Sequence, residues 1–216
     1  QAYTNTYASL AYLEKLYMEA ILHPDIRILS IATRPDCLST EILDLLERLN
    51  QIKPVWVELG LQTIHERTAR YIRRGYDLPV FKTAVSELRR RGIDIIVHTI
   101  LCLPGETKSD MLQTIQYLNR QDIQGIKLQL LHILKDTDLA EIYASDPFPV
   151  PDPQEYYELL GACISHLRPD IVIHRLTGDG PKELLIAPLW TCNKRQVLNQ
   201  LQSYFKTHDI WQGKEY

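Results

Sequence analysis

Apolar side chains recur along this chain in two alternating rhythms, one of three to four residues and one of two. Leu10, Leu13, Leu16, Tyr17 and Ile21 keep helical spacing over residues 8–22. Pro24 and Asp25 interrupt it, and an apolar run at 26–32 follows. This order predicts a helix and then a buried strand. Ser39 is placed to cap a second helix with Ile42, Leu45, Leu46 and Leu49 as its apolar face, and beyond Pro54 the run 55–62 reads as the next strand. A helix over 81–91 closes at Gly92 and gives way to a strand over 93–103; a helix over 108–119 leads to a strand over 125–131. Strands that recur with helices between them are the pattern of βα units and a parallel sheet. Prolines at 147, 149, 151 and 153 mark a turn-rich linker. Beyond it the pattern predicts a helix over 154–167, a short strand over 171–176 and an amphipathic helix over 194–206. Two regions are therefore expected, 1–146 and a smaller extension, 147–216.

The polar residues inside the strands carry more information than the strands themselves. Period-two geometry puts Trp56, Glu58, Gly60 and Gln62 on one face and Val57, Leu59 and Leu61 on the other. A carboxylate buried without a partner costs several kcal/mol, so the face with Glu58 should line an interior space rather than pack against helices. His98 shares a face with Ile96 and Cys102 in the next strand, and Lys127 shares one with Gln129 in the strand after that. A single buried Glu or His is as often a satisfied structural group as a catalytic one. Polar groups on consecutive strands suggest a common site, since ligands of such sheets bind at the carboxyl ends of the strands.

Composition narrows the class. Hydrophobic residues make up 45% of 216 residues and charged residues 24%, as in an ordinary globular protein, and the length is below the roughly 250 residues of a complete eight-stranded α/β barrel. No stretch approaches the roughly 18 apolar residues needed to cross a bilayer, and no signal-peptide pattern opens the chain. A cytoplasmic protein with no membrane partner is expected. The net charge of -3 gives no global attraction to phosphate. Arg73, Arg74 and the run Arg89 to Arg91 are local basic clusters that read as solvated helix ends before they read as an RNA surface. The cysteines Cys37, Cys102, Cys163 and Cys192 form no C-x-x-C pair and offer no metal-binding spacing. The chain opens on Gln1 and runs straight into strand-like residues, which reads as a fragment.

Several segments, in order, resemble the radical S-adenosylmethionine superfamily. They are residues 1–6 (QAYTNT), 33–37 (TRPDC), 58–63 (ELGLQT), 98–106 (HTILCLPGE), 125–128 (GIKL) and the late run from His174 through Gly178, Asp179 and Gly180 to Trp190. The chain is most similar to the YhcC-like branch of iron-sulfur oxidoreductases, and more distantly to elongator-type and coproporphyrinogen-type members. The resemblance implies a bacterial enzyme with a partial TIM-type (β/α)6 barrel of parallel strands. The barrel is truncated at its N-terminus, lacks its first βα unit and cluster loop, and carries a small α/β C-terminal extension. It also implies a four-iron four-sulfur cluster that binds S-adenosylmethionine and reductively cleaves it to a 5′-deoxyadenosyl radical. The protein must then hold cofactor and substrate together and exclude water. The cysteine triad for the cluster is expected upstream of this chain, so the fragment itself should lack radical activity.

Roles follow position by position from the resemblance. Thr4, Asn5 and Thr6 stand where the family faces the methionine amino group, and Thr33, Arg34 and Asp36 occupy the next strand end, with Arg34 able to pair with a carboxylate. Glu58 and Gln62 are cofactor-facing and suited to ribose hydroxyls. Cys102 stands in the adenine-contacting turn, where glycine is common in the family and a thiol adds bulk. His98, Lys127, Gln129, His132 and Lys135 are the substrate-side candidates, while Arg175 and Asp179 are placed to close a lateral opening. Expected partners are S-adenosylmethionine, an unknown substrate with RNA among the candidates, and a low-potential electron donor such as a flavodoxin or ferredoxin. Two other readings remain open. One is a cluster-free α/β-barrel enzyme using Glu58 and His98 as an acid-base pair; the other is an RNA- or partner-binding module.

Overall fold

The computed structural model describes residues 4–178 and 180–216. Gln1, Ala2, Tyr3 and Asp179 lie outside the described residues. Helices and strands alternate: α1 (Leu10–Leu22), β1 (Leu29–Thr33), α2 (Thr40–Ile52), β2 (Val55–Gln62), α3 (Glu66–Tyr71), α4 (Leu78–Arg90) and β3 (Asp94–Leu101). Then follow α5 (Lys108–Asn119), β4 (Gly125–Leu130), β5 (Ile133–Leu134), α6 (Asp138–Ser145), α7 (Pro153–His166), β6 (Val172–Arg175), β7 (Leu185–Ala187) and α8 (Lys194–Thr207). The architecture is α/β, with a five-stranded parallel sheet in the order β1-β2-β3-β4-β6. Among the described residues β1 and β6 are its end strands, so closure into a barrel is not seen.

Two compact units share these elements. The first holds the described residues up to Thr99 together with Arg120–Lys127. Its core is the inward row of β2, Val55, Val57, Leu59 and Leu61, at most 1% exposed, with Ile95 and Val97 of β3 beside it. β1 pairs with β2, and β2 with β3, in parallel register. The side chain of Ser39 accepts from the Ile42 amide and starts α2, as its sequence implied. The buried face of α2 is Leu43, Leu45, Leu46 and Leu49, with Leu43 in the place expected for Ile42. The expected strand at 26–32 begins only at Leu29, because the Ile26 amide closes a turn on the His23 carbonyl.

The second unit comprises Ile100–Asn119 and the described residues from Leu128 onward. Helix α7 opens with a reciprocal cap: Asp152 accepts from the Glu155 amide at 2.8 Å and Glu155 from the Asp152 amide at 2.9 Å. It packs on α5, and Asn119 at the end of α5 donates to the His166 carbonyl at 2.7 Å. The short elements β5 and β7 pair antiparallel. These two, with α3 and α6, have no counterpart in the sequence pattern; they are two to eight residues long and α6 buries none of its residues, so no apolar period announces them.

Candidate functional site

Glu58 is the node of the first unit. Parallel register sets it beside Ala32 on β1 and Ile96 on β3, and the polar face of β2 brings its carboxylate under side chains from three neighbouring strands. Ser30 Oγ of β1 donates to Oε1 at 2.8 Å, Lys127 Nζ of β4 donates to Oε2 at 2.5 Å, and His98 Nε2 of β3 lies 2.8 Å from Oε2. An ionised carboxylate only accepts, so this contact fixes the proton of His98 on Nε2. Burial by itself would raise the Glu58 pKa. The hydrogen bonds from His98, Lys127 and Ser30 outweigh it and hold the carboxyl well below the usual carboxylate range. Glu58 and Lys127 are each about 9% exposed, while His98 keeps 18% of its side chain accessible. Glu58, His98 and Lys127 therefore meet as one charged network.

Gln62 ends the same strand in an unusual way. Its φ is +68°, and the register with β3 shifts between Gly60 and Gln62. This bulge aims a side chain out of the regular alternation. Gln62 Oε1 is buried and has no hydrogen-bond partner among the described residues. Gly60 lies directly beneath the amide, where a Cβ would come 3.0 Å from Gln62 Nε2. The loop after α3 grips this bulge. Arg74, its side chain 2% exposed, donates to the Thr63 carbonyl at 2.7 Å and to Glu66 Oε1 at 2.9 Å, and Tyr76 donates to the Gly60 carbonyl. Gly75 has φ +85°, and a Cβ there would meet Arg34 Nη2 at 2.7 Å.

The strand-end residues form two tight pairs. Thr6 Oγ1 lies 2.5 Å from Thr33 Oγ1 and also donates to the Cys37 carbonyl at 2.7 Å. The Asn5 amide bonds the Ala32 carbonyl at 3.1 Å, so residues 4–6 run beside the end of β1. Arg34 forms a two-pronged pair with Asp36 at 2.9 and 2.6 Å, partly exposed to solvent.

In the second unit, Cys102 adopts φ +63°, the left-handed region that glycine enters without strain. A non-glycine residue there costs about 1–2 kcal/mol. The Cys102 amide points at Met111 Sδ, 3.1 Å away, and the residue lines a cavity of about 510 Å³ with Pro104, Met111, Phe148 and Pro149. Burial, with Glu155 and Glu106 nearby, pushes the Cys102 thiol up to about 12. His132 lies against two glycines: a Cβ on Gly178 would approach its ring to 2.7 Å and one on Gly180 to 2.9 Å. Gln129 is half-buried, and Lys135 is exposed beyond β5.

Sequence reasoning missed Ser30, Arg74 and Tyr76 as members of this machinery. Ser30 was legible from its place on β1, but nothing in a basic cluster marks one arginine as buried. The run Arg89 to Arg91 is ion-paired: Arg89 to Asp94 and Asp122, Arg90 to Glu87, and Arg91 to Asp44 and Glu87. Among the described residues no three His, Cys, Asp or Glu side chains are grouped to hold a metal ion. Cys163 is buried with its thiol raised to about 12, and Cys37 and Cys192 stand on separate elements, so these cysteines do not fit a four-iron four-sulfur cluster. The Gln62 acceptor does fit a polyhydroxylated nucleoside. No helix among the described residues is long and apolar enough to cross a membrane.

Residues 2–118 match the family described as the Radical SAM superfamily, and residues 123–207 match the Radical_SAM C-terminal domain. The chain is similar to the uncharacterized protein YtqA of Bacillus subtilis, 39% identical over 214 residues, which cover 99% of this chain and 66% of YtqA. It is also similar to protein YhcC of Escherichia coli, 35% identical over 211 residues, covering 97% of this chain and 68% of YhcC. The fold is like that of the archaeal Methanocaldococcus infernus Elp3, with a TM-score of 0.81 at 15% identity over 96% of this chain and 53% of that one. The chain thus spans about two thirds of the length of the curated relatives it matches.

Proposed function

The chain belongs to the radical S-adenosylmethionine superfamily, and from that premise we propose that the polar face of β2, β3 and β4 holds S-adenosylmethionine for radical chemistry on a substrate still to be identified. When bound, this cofactor supplies reductive cleavage of a carbon-sulfur bond, which generates a carbon radical able to take hydrogen from an unactivated position. The observation that carries the reading is the buried, unpartnered Gln62 Oε1 at the end of the strand that also carries the Glu58 network. An acceptor held in that state is stabilised by a donor such as a ribose hydroxyl.

The chain's own residues then divide the work. Lys127, His98 and Ser30 keep Glu58 ionised and fixed in one orientation. Gln62 accepts from the ligand, and Gly60 leaves room beneath its amide. Thr4, Asn5, Thr6 and Thr33 contribute carbonyl and hydroxyl oxygens near the methionine end, and Arg34 with Asp36 offers a guanidinium for a carboxylate. His98 and Lys127 of the first unit would serve as substrate-side groups, and the assignment of Cys102 to the adenine and of Gln129, His132 and Lys135 to the substrate, all in the second unit, rests on the family resemblance alone. Residues 1–146 would form the barrel core and 147–216 the extension. Cluster ligands would come from another part of a cytoplasmic protein, and the electron from a low-potential donor such as a flavodoxin or ferredoxin. The acid-base alternative is disfavoured by the low pKa of Glu58, because a carboxylate held ionised by a lysine and a histidine is a weak base.

The test is anaerobic reconstitution of the full-length protein with iron and sulfide, followed by an assay for 5′-deoxyadenosine under dithionite. The wild type should form it, and Gln62→Leu should raise the S-adenosylmethionine concentration for half-maximal rate by about tenfold, the effect of one lost buried hydrogen bond of about 1.4 kcal/mol. Absence of 5′-deoxyadenosine from protein with a full cluster would overturn the assignment.

A further inference from the structure

Strand β6 and helix α8 lie in the second unit, and with residues 210–212 they line a cavity of about 610 Å³. Small-molecule sites fall in the range of roughly 300–1,000 Å³. The wall carries His174, Arg175 and Lys194, and no carboxylate among the described residues. Against a net charge of -3 for the chain, the wall gathers basic side chains in one place. Arg175 has no ion pair or side-chain hydrogen bond with any described residue, although it is half-buried. Its guanidinium is thus open to a ligand anion, which it can bind with two parallel hydrogen bonds.

The other walls are aromatic and polar. Phe205 and Trp211 line the cavity, with Trp211 52% exposed. Lys214 Nζ stands 4.5 Å from the Trp211 ring centre. Thr177 also lines it, is 3% exposed, and has a hydroxyl with no hydrogen-bond partner among the described residues. Cations, a buried free hydroxyl and an accessible flat ring are complementary to a phosphate joined to a planar base. Arginine binds phosphate with two parallel hydrogen bonds, and bases stack on aromatic faces with little regard to sequence.

We propose that this cavity binds a nucleotide unit, free or within single-stranded nucleic acid, with its phosphate on Arg175 and Lys194 and its base on Trp211 and Phe205. This site is separate in its residues from the S-adenosylmethionine reading and does not depend on it.

The experiment measures binding of a fluorescein-labelled single-stranded RNA of about ten nucleotides to the full-length protein by anisotropy, with AMP, inorganic phosphate and a poly-aspartate peptide as competitors. Arg175→Gln and Lys194→Gln should each weaken binding and flatten its salt dependence, by about one unit of log-log slope per lost phosphate contact. Trp211→Leu, which keeps apolar bulk, should weaken it about tenfold through lost stacking. Arg27→Gln, an exposed control outside the cavity, should leave it unchanged. Competition by AMP as well as RNA identifies a free nucleotide as the occupant; competition by longer RNA alone identifies nucleic acid, and both support the proposal. Lys194 lies at the surface, so its variant reports even where Trp211→Leu unfolds. The proposal is overturned if no RNA or AMP binds, if the Arg175 and Lys194 variants bind like wild type, if Arg27→Gln weakens binding equally, or if poly-aspartate displaces the probe as effectively as unlabelled RNA does.

Discussion

Glu58 and Lys127 are distant in sequence, and each is buried against the other with His98 as a third member. Removing one partner leaves a charge in a site closed to water, so Lys127→Met should lower stability in urea unfolding by about 3 kcal/mol. Because Glu58 and Lys127 are in contact, Glu58→Gln combined with Lys127→Met should cost less than the two single changes together, with a coupling of about 1 kcal/mol or more; strict additivity would refute the pair. The same carboxylate sets an acid limit. Its folded pKa lies below its unfolded value, so its contribution is complete above about pH 4.5 and is lost as pH falls from there toward the folded value. Thermal unfolding followed from pH 6 to pH 3 should show a steeper loss of midpoint for the wild type than for Glu58→Gln. Parallel curves would mean that Glu58 is not held ionised by its neighbours.

At the level of the element, the end of β2 is the most specific feature. A bulge with Gln62 at φ +68° has little local support, and the loop at 73–76 supplies it through Arg74 and Tyr76. Arg74→Met would remove the guanidinium from Glu66, which keeps the Leu78 amide, and one donor from the Thr63 carbonyl. A loss of about 2 kcal/mol is expected from these charge-assisted hydrogen bonds. If Arg74 positions Gln62, the variant should also raise the half-saturating S-adenosylmethionine concentration in the reconstituted enzyme, and Arg74→Lys should recover little because one ammonium cannot reach several acceptors at once. The reading as helix, strand, helix was sound for the long elements because each buries a row of side chains at its own period. It misplaced the start of β1 by three positions, and one member of the α2 face, Ile42 for Leu43, by one. It passed over α3, β5, α6 and β7, whose short lengths leave no period to detect.

For the whole molecule, thiol chemistry gives a direct check on burial. Cys102 and Cys163 have pKa values raised to about 12 by burial, so at pH 8 neither offers much thiolate. A thiol reagent should modify Cys37 and Cys192 first in the native protein, with all four sites reacting quickly only in denaturant; fast native labelling of Cys163, located by mass spectrometry of digested protein, would contradict the fold. The order of polar strand ends, from Thr33 through Glu58 and Gln62 to His98, was legible from the sequence because period two assigns faces without any coordinates. That same order carried the family resemblance, which the matches over residues 2–118 and 123–207 support. By itself the sequence determined the α/β class, the long elements and the face on which Glu58 lies, because local spacing and turn residues dictate those. Only the tertiary structure decided that Lys127 neutralises Glu58, that Arg74 is buried under the end of β2 while the run Arg89 to Arg91 is taken up by ion pairs with acidic side chains, and that Cys102 takes a glycine-like backbone. Those outcomes depend on which strands become neighbours and how far a side chain reaches across them, and no local pattern encodes either distance.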